Sequence, residues 1–136
     1  MREMLFRGKR IDTGEWVYGD LIHRKIRGEN ICVICVIADG FDGYIGYEID
    51  PSTVGQYTGL SDMCGKKIFE GDIVKRFWFG KICIYQIDYD NGLASFIGQA
   101  DVKFTTFDYD SREFEIIGNI YDNPELLKER ERNCIM

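Results

Sequence analysis

The sequence predicts a mainly β protein: an antiparallel β region at the N-terminus, a small β-barrel at the C-terminus and one short helix at the end. Three observations predict it. Aromatic residues make up 14% of the 136 residues, with nine Phe and eight Tyr. With plentiful isoleucine, they favour pleated, half-buried strands over helices. Fifteen glycines against two prolines point to many tight turns and no proline-rich linker. Apolar runs of strand length alternate with turn residues, and the connections are too short for the crossovers that parallel pairing needs.

Residues 5–11 and 15–22 read as a hairpin around Asp12, Thr13 and Gly14, with Gly14 in the left-handed position of a three-residue loop. Trp16 and Tyr18 fall on one face at period two. Residues 31–37, ICVICVI, are an unbroken apolar run whose length and β-branching suit a strand buried on both faces. Residues 44–49 form another strand, and Asp50-Pro51 breaks the chain. That break sets the expected division into 1–52, a β-hairpin subdomain, and 53–136, a barrel subdomain, the two forming either separate subdomains or one integrated domain.

Lys67–Phe69 is too short to stand alone and is expected to pair with Gln56 and Tyr57 across the loop LSDMCG. Glu70, Gly71 and Asp72 then turn the chain into strands over 73–79 and 82–89. Asn91-Gly92 is the strongest short hairpin signal, because a type I′ turn needs positive φ at both central positions. Residues 102–109 and 114–121 add the last strands. A helix is expected over 124–132, with Asn123 as N-cap, Pro124 at the first helical position and Glu125 near the positive end of the dipole. Leu126 and Leu127 are its apolar anchors.

The net charge is −6, and basic residues are interleaved with acids, unlike the basic stripe of a typical nucleic-acid binder. The run His23–Arg27, HRKIR, reads as a solvated hairpin end. No apolar window reaches the roughly 18 residues of a membrane span, and the N-terminus lacks the apolar core of a secretory signal, so the expected location is the cytoplasm. Five cysteines, an odd number, argue for reduced thiols.

No catalytic, metal or cofactor constellation is expected. Cys32 and Cys35 have CxxC spacing, but inside a strand residues i and i+3 point to opposite faces, so they read as buried small hydrophobes. His23 shows no orienting partner in the sequence. Asp88, Asp90, Asp101, Asp108 and Asp110 read as turn formers at strand ends rather than metal ligands. Phosphate-binding glycine loops and a nucleophile elbow are also missing. Cys64, beside Lys66 and Lys67 in a loop, is the most reactive thiol on this reading.

The segments RGKRIDTGEWVYGDL, VGQYTGLSDMCGKKIFEGDIVK and FEIIGNIYDNPELL, in that order, resemble the YopX family of phage and prophage proteins. The resemblance implies a small β-rich protein from a mobile element of low-GC bacteria, with no catalytic residues to transfer. It also implies polar residues where this chain has Met63 and Cys64, and so a loop open to substitution. The step Gly71-Asp72-Ile73-Val74 resembles the entry to the long bent strand of SH3-like barrels.

The expected function is a non-catalytic binding or assembly module, self-associating or engaging a host or phage protein. The alternative is a nucleic-acid-associated small barrel, disfavoured by the acidic charge. For either, the candidate binding residues are Lys75, Arg76, Phe77, Trp78, Phe79 and Lys81, basic ends around three aromatics.

Overall fold

The computed structural model describes residues 3–37, 43–78, 80–91, 95–99, 104–106 and 113–128, with backbone only for Trp78 and 104–106. The chain is antiparallel β and divides into two compact units, Met1–Tyr57 and Thr58–Met136.

The first unit begins with the hairpin β1 (Phe6–Lys9) and β2 (Trp16–Ile26), in register from Phe6 opposite Gly19 to Lys9 opposite Trp16. The Asp12-Thr13-Gly14 loop has Gly14 at φ +75°, as its sequence predicts. β2 runs through the HRKIR segment and turns at Arg27 (φ +52°) and Gly28 (φ +84°) into β3 (Glu29–Ile37). Ile26 pairs with Glu29, so this is a two-residue loop with both central residues left-handed, the geometry that matches strand twist. The basic run is a solvated hairpin end.

β4 (Tyr44–Ile49) lies beside β3, and its end returns to β1: Ile11 N–H donates to Glu48 O (3.1 Å) and Asp50 N–H to Lys9 O (2.8 Å). Ile34 and Ile49 lose all solvent contact on one face. On the other face Trp16 stacks under the Arg7 guanidinium (4.7 Å). β3 is buried at its centre, Val33 and Ile34, while Ile37 is exposed although it pairs with Tyr44, because pairing within a sheet covers a strand's edges and not its faces. Cys32 and Cys35 are half-buried, and the strand alternation sends them to opposite faces.

Asp50 and Pro51 break the chain as expected, but the break is tied into the first unit. The 3-10 turn Pro51–Thr53 has Asp50 Oδ1 accepting from Ser52 N–H (3.0 Å), and Thr53 Oγ1 accepts from Lys9 N–H (2.9 Å). The division between the two compact units falls inside β5 (Gly55–Ser61). Gln56 pairs with Phe6 of β1, and residues 67–69 lie beside β5 as expected. The C-terminal half of β5 takes β6 (Lys67–Phe69), with Thr58 Oγ1 donating to Ile68 O (2.9 Å).

The second unit adds β7 (Asp72–Trp78), β8 (Lys81–Asp90), β9 (Ser95–Gln99), β10 (Phe104–Thr106) and β11 (Phe114–Asn119). Their order is β10-β9-β8-β7-β11, an open five-stranded sheet; the expected barrel closure is not seen among the described residues. Val74, Tyr85, Ile87 and Phe114 pack with Ile68 into one core, with Tyr85 edge-on to Phe114 at 5.8 Å.

Gly71, at φ +89°, takes a conformation that costs residues with a Cβ. Its N–H donates to Ile87 O (2.8 Å) and its carbonyl accepts from Ile120 N–H (2.9 Å). Asp72 is buried and accepts from Phe69 N–H (2.7 Å), the local role its sequence context predicts. A bulge separates Ile116, opposite Val74, from Gly118, opposite Ile73.

Asp90 pairs with Ser95, so β8 and β9 form the hairpin expected around Asn91-Gly92; residues 92–94 lie outside the described residues. One expectation at the C-terminal end needs correction. The terminal helix is seen at residues 126–128, and the rest of the 124–132 expectation is either non-helical, at 124–125, or lies outside the described residues. Asn123 O accepts from Leu126 N–H (3.1 Å), but its side chain turns back to accept from Asn119 N–H (3.3 Å) rather than capping forward. Gly118 leaves the room: a Cβ there would stand 2.6 Å from Asn123 Oδ1.

Candidate binding groove

β7 carries the candidate residues, and its alternation divides them. Lys75 and Phe77 share one face and Arg76 the other. Lys75 Nζ lies 3.1 Å from a Glu115 carboxylate oxygen on β11, directly opposite in register. Phe77 is 71% exposed and sits across from Ile82 of β8, itself 43% exposed. Behind this pair on the same face, Ile73 and Ile84 are buried. The apolar row therefore runs from the interior out to solvent.

Arg76 is held differently. Its guanidinium lies over the rings of Tyr85 (5.4 Å) and Phe114 (5.0 Å) and donates to Tyr85 Oη (3.0 Å). Stacked and hydrogen-bonded, it fixes β7 against its neighbours. Lys81 begins β8, opposite Trp78. The Trp78 side chain and Phe79 lie outside the described residues.

The loop after β5 completes the site. Asp62 is buried, yet its carboxylate accepts from three backbone amides: Cys64 (2.9 Å), Lys66 (2.9 Å) and Ile116 (3.0 Å). Burial opposes its ionisation, but the three amides outweigh it and hold the group below the usual carboxylate range. Met63 N–H donates to Phe114 O (2.9 Å), so Met63, 57% exposed, stands at the edge of β11.

Met63, Lys75, Arg76, Phe77, Ile82, Glu113 and Glu115 line one groove of about 310 Å³. Of the six candidate residues, the structure brings Lys75, Arg76 and Phe77 into it. Met63, Ile82, Glu113 and Glu115 are the members that sequence reading misses. Ile82 is visible as an apolar residue at a strand start, but its partner follows from register alone. Among the described residues no group of three His, Cys, Asp or Glu side chains is placed to hold a metal ion. Asp88 accepts from Gln86 Nε2 (3.2 Å); Asp101, Asp108 and Asp110 lie outside the described residues. No described helix is long and apolar enough to cross a membrane.

The model of the family described as YopX protein matches residues 5–128, nearly the whole chain. The chain belongs to the YopX family. Among solved structures, this YopX chain is similar to the crystal structure of protein EF1440 from Enterococcus faecalis, at 23% identity and a TM-score of 0.52, covering 93% of this chain and 99% of that one. At that identity the likeness speaks to the fold alone. A search of curated proteins finds no match. In the YopX chain the segment from Val54 to Lys75 supplies one wall of the groove, through Met63, and enters the strand that forms its floor.

Proposed function

We propose that this YopX protein is a non-catalytic binding module that takes an apolar side chain of a partner protein into the groove over Phe77 and Ile82. The observation that carries the reading is that cross-strand pair, left in solvent at the end of an otherwise buried apolar row and framed by Met63. Water is displaced from such a pair at a gain of about 25 cal/mol per Å² of apolar area, and exposed aromatics are enriched at protein interfaces.

The rim favours a protein over a nucleic acid. Lys75 is matched by Glu115, Glu113 adds a further acid, and Arg76 is engaged by two rings. Little positive charge remains to replace the counterions of a phosphate backbone. Phage or prophage origin and action in a bacterial cytoplasm are part of the same proposal.

Affinity capture from phage-infected host cells, with the wild-type protein and the Phe77→Asp variant as parallel baits, tests it. A protein retained by the wild type and lost by the variant is the expected result. Identical captures, or a salt-sensitive gel shift with nucleic acid that Phe77→Asp abolishes, would overturn it. At 71% exposure the substitution should alter stability by no more than about 0.5 kcal/mol, so a lost partner reports the surface.

A further inference from the structure

The first unit holds a nucleophile and a base that the groove does not involve. β2 and β3 pair so that His23 stands directly across from Cys32. His23 Nδ1 lies 3.5 Å from Cys32 Sγ, within hydrogen-bond reach for sulfur. His23 is exposed and Cys32 half-buried, at the rim where the core of Ile34 and Ile49 gives way to solvent. On that face Lys25 is the next residue along β2, Asn30 lies across from it, and Ile49 of β4 flanks Cys32.

A thiol beside an accessible imidazole is the arrangement that activates cysteine: the ring accepts the thiol proton, and the thiolate, not the thiol, attacks. Lys25 adds positive potential on the same face. We propose that Cys32, activated by His23, is a thiol-modification site for low-molecular-weight disulfides. In the step, His23 Nδ1 takes the thiol proton and the Cys32 thiolate attacks one sulfur of the disulfide. A new S–S bond forms to Cys32, the old one breaks, and the departing thiolate takes the proton from the imidazolium. One disulfide is consumed; one mixed disulfide and one thiol appear, with no net change of redox state.

Strand geometry also fixes the fate of the adduct. Cys35, three residues on, projects to the opposite face, and an i, i+3 pair in a strand spans about 10 Å, beyond the roughly 7 Å that a disulfide tolerates. Cys35 therefore does not resolve the adduct.

The test uses the folded full-length chain, glutathione disulfide as the probe, and peptide mapping by mass spectrometry to follow each cysteine. Cys32 should form its adduct about tenfold faster than exposed Cys64. His23→Asn, which keeps a polar atom near the Nδ1 position without its basicity, should slow Cys32 about tenfold and leave Cys64 and Cys83 unchanged. It should also move the pH-dependence of the Cys32 rate alone. A Cys32 rate no greater than that of Cys64, or one that His23→Asn and His23→Ala leave unaltered, overturns the proposal. Faster labelling of half-buried Cys35, in the same unit, in one variant would show opening of that unit, and the Cys32 rate in the other variant then decides.

Discussion

Two turns, one in each unit, are organised by an aspartate and differ in what that aspartate holds. In the first hairpin Asp12 makes a bidentate contact with Arg10, 2.9 Å from Nε and 2.7 Å from the terminal nitrogen, with Asp12 exposed and Arg10 half-buried over the Tyr47 ring. In the loop after β5, Asp62 is buried and gathers three backbone amides, one of them from β11 across 54 residues of sequence. Both carboxyls sit below their usual range. For Asp12 the cause is foremost the hydrogen bond from Arg10; for Asp62 it is the amides, acting against burial. The same residue type and the same direction of shift serve a local, screened contact in one place and a long-range tie in the other.

The largest effect expected of breaking this contrast is at Asp62. Asp62→Ala leaves three half-buried amide contacts without their acceptor and should lower unfolding free energy by about 3 kcal/mol, read by urea denaturation. The pH-dependence sharpens the same point. A folded-state value below the unfolded one, near 4, means that the native state binds the proton less readily. The stabilisation is complete above about pH 4 and disappears as pH falls through the depressed folded value. Asp62→Asn should flatten that acid limb in a pH series of denaturation midpoints; an unchanged limb would show that Asp62 is not its source.

The first unit has a buried tie of its own, but a neutral one. Thr53 Oγ1 joins the 3-10 turn to β1 through Lys9 N–H (2.9 Å) and donates to Asp50 O (2.6 Å). Thr53→Val should cost about 1 kcal/mol in the same assay, less than Asp62→Ala because no charged acceptor is lost. The smallest effect belongs to Asp12→Asn: no resolvable change in midpoint, because exposed ion pairs are weakened by solvent and salt. A Thr53 effect larger than that of Asp62 would reverse the ranking of the two ties.

Local chemistry makes part of this legible in the sequence. The strand at 44–49 can be read to the residue, because Asp50-Pro51 bounds it. Gly71 and Asp72 can be read in their roles, because a left-handed glycine followed by an aspartate solves a nearby backbone problem. Phe77 stands out as an aromatic among basic residues, yet nothing local announces Ile82, Met63 and Glu115 around it. The features that escape a reading of the sequence depend on register. Phe77 meets Ile82 only through the β7–β8 register, Gln56 takes Phe6 of β1 as a partner, and His23 gains a sulfur neighbour nine residues away. Asp62 looks like an ordinary loop residue because its third amide comes from β11. Period two shows which face a side chain takes, but not which strand lies opposite.

The division of β5 between partners constrains how such chains can recombine. Gly55 and Gln56 pair with β1, and Thr58 Oγ1 donates to Ile68 O of β6, so a cut at Tyr57 falls within one strand. A chimera spliced at Tyr57 and Thr58 would ask one parent's β1 and the other's β6 to agree on that strand. Exchange between relatives should succeed where the crossover falls before Gly55 or after Ser61, carrying β5 whole from a single parent.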